Sequence, residues 1–166
     1  MAKLYTVHNG AVPGAAALIK VTTGTVIKTL IQLATSANTA IRIKQWWTEF
    51  DGSTAATPIQ VELLRVASGA ATVVAYAAAD IAKVNDPNAP VSDIQLGTAL
   101  SGYTASAEGV PATISNLESH LVPPTGGILI QYPLGQEPEI AVSTFLRLRV
   151  TAGAAVNAYC GITFEA

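Results

Sequence analysis

Two β-type segments, residues 41–50 and 58–66, constrain the fold more than any other stretch of this chain. In the second, Ile59, Val61 and Leu63 alternate with Gln60 and Glu62, the period of a strand buried on one face. The first alternates through Ile41, Arg42, Ile43 and Lys44. Trp46, Trp47 and Phe50 then leave no single polar face, which predicts a bulge or burial on both sides. Asp51-Gly52-Ser53 suits a turn, but further residues precede Pro58, so the link is a loop rather than a two-residue hairpin. Both tryptophans lie here. Core packing is the reading for Trp46 and Trp47, ahead of a ligand platform.

The rest of the chain repeats the theme at short spacing. Residues 4–8 are β-like, and Asn9-Gly10 and Pro13-Gly14 follow, so residues 1–17 read as an arm or lead-in segment before one domain over 18–166. Residues 18–21 and 26–35 read as strands, the latter with Ile27, Ile31 and Leu33 on one face around Thr29, and Lys28 and Gln32 on the other. Residues 71–78 read as a strand whose alanines leave a helix open. From 80 to 122 the pattern dissolves around Asn85-Asp86-Pro87-Asn88-Ala89-Pro90, recovering only at 114–121; such a stretch is either a binding loop or a region where pattern reading fails. Strands return at 128–132 and 144–150, where Leu146, Leu148 and Val150 point in and Arg147 and Arg149 out. The last is 156–164, with Ala158, Cys160, Ile162 and Phe164 on one side. Seven to nine strands without a long amphipathic helix ask for an all-β, antiparallel two-sheet sandwich. Period and spacing do not choose between immunoglobulin-like and jelly-roll winding.

Only 12% of the residues are charged, about half the usual share, against 50% apolar. That composition suits a surface packed against other proteins, and also an ordinary secreted β domain. The net charge of -2 gives no reason to expect nucleic acid. Residues 1–50 carry Lys3, Lys20, Lys28, Arg42 and Lys44 against Glu49 alone, and the remainder is acidic. This asymmetry either aligns copies head to tail or is simply solvated. No stretch is long and apolar enough to predict a membrane span or a signal peptide.

Residues suited to catalysis are sparse. His8 and His120 are the only imidazoles; Ser119 and His120 are adjacent and so point to opposite faces of a strand, which argues against a triad with Asp93. Two separated histidines argue against a zinc site. Glu108, Glu118, Glu137 and Glu139 read as loop carboxylates rather than a glycosidase pair. Asp80, Asp86 and Asp93 are too far apart for an EF-hand loop, with loop calcium left open. Arg147 and Arg149 read as solvated sheet charges or a small anion or partner patch. Cys160 reads as a small buried residue. The expectation is a non-enzyme with no cofactor and no catalytic, cofactor-binding or metal residues, its partner-binding residues unknown.

Three stretches carry a resemblance. Trp47-Thr48-Glu49-Phe50-Asp51-Gly52-Ser53 with Pro58-Ile59-Gln60-Val61-Glu62-Leu63-Leu64-Arg65 is the first, and Gly126-Gly127-Ile128-Leu129-Ile130-Gln131-Tyr132-Pro133-Leu134-Gly135-Gln136-Glu137-Pro138 the second. The third is the ending Leu146-Arg147-Leu148-Arg149-Val150-Thr151-Ala152, Asn157 and Ile162-Thr163-Phe164-Glu165. Together they resemble the small head decoration (cement, or auxiliary capsid) proteins of tailed bacteriophages, over residues 18–166 with a poor match at 77–120. The resemblance implies a jelly-roll sandwich, a homotrimer, and a place on the capsid exterior bridging copies of the major capsid protein, after synthesis in the host cytoplasm. It carries no catalytic residue. For residues 1–17 the expectation is a latch onto a neighbouring subunit. The alternative function is a carbohydrate- or receptor-binding jelly-roll module of a phage tail or cell surface, using Tyr76, Tyr103 and Tyr132 or loop calcium.

Overall fold

The computed structural model describes residues 2–10, 19–91 and 93–166. The strands are β1 (Leu4–His8), β2 (Val21–Thr22), β3 (Lys28–Ala34), β4 (Ile41–Asp51), β5 (Ile59–Ser68), β6 (Thr72–Ala75) and β7 (Ala82–Lys83). They continue with β8 (Gly102–Ala107), β9 (Ala112–Val122), β10 (Gly127–Gln131), β11 (Glu139–Ile140), β12 (Phe145–Thr151) and β13 (Asn157–Glu165). A 3-10 turn, Ala78–Asp80, follows β6 where the alanines end the strand. One sheet runs β10-β4-β13-β1-β7, with β11 also on β4 and β2 on β13; the other runs β6-β8-β3-β12-β5-β9. The two are antiparallel and form the sandwich that alternation predicts.

The inner faces meet in one core. Ile41, Ile43, Trp46, Ala158, Ile162 and Phe164 from the first sheet meet Ile31, Leu33, Val61, Leu63, Leu146 and Leu148 from the second, all without solvent exposure. The bulge expected in residues 41–50 is at Lys44: Gln45 pairs Thr163 and Ile43 pairs Phe164, leaving Lys44 with no residue opposite. That extra residue flips the alternation. Trp46, Thr48 and Phe50 therefore continue the inward row begun by Ile41 and Ile43, and Trp47 is turned to the outside.

Of the arm expected over residues 1–17, Leu4–His8 is a strand paired on both sides, with β13 over five residues and with β7. Residues 11–17 lie outside the described residues. The stretch 80–122 is not a free loop at its start. Asn85 Oδ1 accepts from Leu4 N at 2.8 Å, Tyr5 Oη donates to the Pro90 carbonyl at 2.6 Å, and Ala89 and Ile94 are buried in the core. β8 was missed by pattern because Gly102-Tyr103-Thr104-Ala105-Ser106-Ala107 has almost no apolar contrast to alternate.

Two expectations about outward residues are corrected. In β3 a register shift between Leu148 and Arg149 leaves Leu30 as an extra residue. Thr29 and Gln32 therefore share the face away from the core, where both are buried, while Ile27 is 43% exposed. Arg147 also lies on that outer face, opposite Gln32 and Leu64, yet has no solvent exposure. The turn at Gly69–Ala71 and the segment at Glu108–Val110 fold over it. A Cβ on Gly69 would come within 2.0 Å of the Val110 carbonyl oxygen, and one on Gly109 within 2.4 Å of that of Ala70. Both glycines hold positive φ (83° and 65°), so side chains are excluded there twice over.

Candidate functional site

Most of the titratable residues that the sequence offered for chemistry are engaged within the chain; among the described residues, His8 Nδ1 and Asp93 Oδ2 are buried without a hydrogen-bond partner. Glu108 accepts from Thr29 N at 2.5 Å and Thr29 Oγ1 at 2.6 Å, tying the start of β3. Glu137 accepts from Lys44 Nζ at 2.9 Å and from Gly135 N at 2.7 Å. The lysine's hydrogen bond leads in holding the Glu137 carboxyl down at about 2. Lys44 also bonds Glu165, and the two carboxylates push its own pKa upward. Glu139 pairs with Arg42 at 3.3 Å, and Arg149 with Glu62 at 2.7 Å, so Arg149 is not a free patch. Arg147 is no patch either: its Nε donates to Gln32 Oε1 at 2.8 Å, Nη1 to the Glu108 carbonyl at 3.1 Å, and Nη2 to the Gly69 carbonyl.

His120 and Glu118 share the inner side of β9, Nε2 to Oε2 at 3.1 Å, while Ser119 points to the opposite face. Asp93 sits elsewhere, its carbonyl accepting from Ser36 N at 2.9 Å. The Ser119–His120–Asp93 grouping is not assembled. Asp80 Oδ2 accepts from Ala77 N and Asp86 Oδ1 from Asn88 N, each closing a local turn. Cys160 is buried, as read, and burial raises its thiol pKa.

The three tyrosines offered for a carbohydrate- or receptor-binding surface, Tyr76, Tyr103 and Tyr132, are a correction, because none is exposed. Tyr76 is fully buried and its hydroxyl donates to the His8 carbonyl; Tyr103 packs its ring 5.3 Å from that of Tyr76. Tyr132 is half-buried, its hydroxyl accepting from Trp46 Nε1 at 3.2 Å and donating to Glu118 Oε1 at 3.4 Å. Burial pushes its pKa up to about 12.

A half-buried aromatic surface lies instead on the outer face of the β10-β4-β13-β1 sheet. One cross-strand row reads Leu129, Trp47, Gly161, His8. The missing side chain at Gly161 lets the Trp47 indole lie flat over β13: a Cβ there would be 2.1 Å from Trp47 Cζ2. The His8 ring meets Trp47 edge-on at 5.7 Å and stacks on Tyr159 at 5.7 Å and 14°. Burial lowers the His8 pKa, favouring the neutral ring. Beside Trp47 an open hollow of about 520 Å³ is lined by Glu49, Phe50, Thr125, Gly127 and Leu129, and Leu129 is 61% exposed. Sequence reasoning missed this face because Trp47 was assigned to the core; the bulge at Lys44 was the signal that one of two adjacent tryptophans must turn out. The arrangement is suited to contact, with planar and apolar groups beside a single carboxylate. No protein-family model, curated protein or solved structure matches the chain.

Proposed function

We propose that the chain is a structural virion protein, a decoration protein that binds the outer surface of a phage head and stabilises it by bridging copies of the major capsid protein. One observation carries the reading. The resembling stretches are scattered over residues 47–165, but they come together as neighbouring strands, β10-β4-β13 in one sheet and β12-β5 in the other. The first group bears the Trp47–Leu129 face. That face is largely apolar, and Lys20–Asp51 and Lys44–Glu137 near it are paired within the chain, so a partner covering it has one carboxylate, Glu49, to match. The winding we assign is jelly-roll: two antiparallel sheets, with the chain changing sheet at β2–β3, β3–β4, β4–β5, β6–β7, β7–β8, β9–β10, β11–β12 and β12–β13. A homotrimer on the capsid exterior, assembled after synthesis in the host cytoplasm, completes the proposal.

The second reading, a carbohydrate- or receptor-binding module, is favoured by the hollow beside Trp47, where an indole flanks a glycine-floored groove of ligand size. Light scattering of the purified protein, followed by its addition to shells lacking it, separates the two. A trimer that saturates the shell at fixed stoichiometry and raises its melting temperature supports the decoration role. A protein that ignores shells but binds a glycan, with binding lost in Trp47→Ala, overturns it in favour of the module.

A further inference from the structure

β9 is an 11-residue strand that pairs with β5 alone among the described residues, so the hydrogen-bonding groups along its other side face outward. The other sheet edges are short: β6 has four residues, β7 two and β10 five. Edges of this length in soluble proteins are normally blunted by lysine, proline or a bulge. β9 contains no lysine, arginine or proline. Its amino-terminal half does carry such devices: Thr113 has φ of 51°, and a register shift leaves Leu117 without a residue opposite. The half from Glu118 to Val122 has none, and it includes Leu121, 73% exposed.

We propose that Glu118–His120, at the flat end of β9, centres a self-association edge that pairs antiparallel with the same strand of a second copy about a two-fold axis at Ser119, Leu121 then lying beside the bulged Leu117 of that copy. In such a pair the residues facing each other have numbers with a constant sum. About Ser119, Glu118 faces His120 of the second copy and His120 faces its Glu118, opposite in character on the same side of the sheet, and Ser119 faces itself. Centring on Leu117 would put Asn116 opposite Glu118 and centring on Leu121 would put Pro124 there, while centring on Glu118 or His120 would set each against itself, so only the Ser119 register sets a carboxylate against an imidazole. The Glu118 and His120 side chains already lie 3.1 Å apart within the chain and remain about 30% exposed, available to the second copy. The contact joins two six-stranded sheets into one. It goes beyond the decoration reading, because an isologous contact closes with two copies. Trimers built through another surface would be linked by β9 in pairs.

Cysteine cross-linking tests the register directly, since Cys160 is buried and contributes no background. Facing residues on the axis have Cβ atoms about 5 Å apart, close to disulfide reach, whereas Leu121 lies four residues from its own copy along the strand, about 13 Å. Under mild oxidation Ser119→Cys is expected to give a covalent dimer nearly quantitatively and Leu121→Cys less than about a tenth as much. Leu121→Lys, at an exposed position, should leave the melting temperature unchanged and weaken association by roughly tenfold or more in sedimentation. Equal cross-linking of the two cysteine variants, no cross-linking of Ser119→Cys, or wild-type association untouched by Leu121→Lys overturns the proposal. None of these outcomes bears on whether the protein binds shells, which is scored separately.

Discussion

Arg147 joins two turns that are far apart in sequence. Its guanidinium spans the Gly69 and Glu108 carbonyls while Nε reaches Gln32, whose own amide bonds the Ala71 and Leu100 carbonyls at 3.1 and 2.7 Å. Burial lowers the Arg147 pKa, but no ordinary pH deprotonates a guanidinium, so the group is a charged staple. Arg147→Met removes the donors and leaves the buried Gln32 Oε1 and the part-buried Gly69 and Glu108 carbonyls without them, an expected loss of about 3–5 kcal/mol in urea unfolding. Arg147→Lys should recover little of it, because one ammonium cannot span a fork of three acceptors. Glu137 makes a pH-dependent contribution. Its carboxyl titrates at about 2 when folded against an ordinary 4.5, so the folded state holds fewer protons between those values. The stability it adds is present above pH 4.5 and lost as pH falls towards 2. Thermal melts of Glu137→Gln should therefore show a shallower acid decline than wild type across that window, and parallel curves would mean the Lys44 contact contributes nothing.

Among the elements, β13 and β4 show how one glycine sets a face. Gly161→Ala puts a methyl into the Trp47 ring, so the indole must lift off the sheet. The expected cost is about 1–3 kcal/mol, with a red shift and increased quenching of Trp47 emission, read in a Trp46→Phe background. Unchanged emission would show that the ring does not rest on Gly161. This pair also marks how far the sequence was legible. The alternation of β5, the inward row of β12 and the break in β4 could all be read, because a half-buried strand writes its buried face at period two. Gln32 and Arg147 could not. Alternation assigns a side chain to a face, and whether that face is then covered depends on turns at Gly69 and Glu108, dozens of residues away. The Trp47 surface was lost for a related reason: the residue count of a bulge decides which of two neighbouring tryptophans points out, and composition alone favours burying both.

For the whole molecule, the basic start and acidic remainder find each other inside one chain. Lys20 meets Asp51 at 2.5 Å, Arg42 meets Glu139, and Lys44 meets Glu137 and Glu165, so three of the five early cations are matched without a second copy. The amino terminus is bound up with the carboxyl terminus in the same way, because β1 is inserted between β13 and β7. This bears on the latch proposed for residues 1–17. Deleting residues 1–14 takes away β1 and with it Tyr5 and Val7, both without solvent exposure, Tyr5 packing its ring 5.5 Å from that of Phe164. Losing a buried aromatic and a buried valine costs about 3–5 and 1–3 kcal/mol, and the ladder to β13 goes too, against a total stability of about 5–15 kcal/mol for a typical domain. The deletion is therefore expected to abolish cooperative folding, seen as loss of near-ultraviolet circular dichroism and of a sharp melt, so its failure to bind shells would say nothing about a latch. Replacing residues 11–17 by Gly and Ser at constant length keeps β1 in place. If the latch exists, that variant folds with wild-type circular dichroism but releases from shells at lower denaturant. Wild-type retention on the shell would remove the latch and leave the Trp47 face as the surface to test for capsid contact.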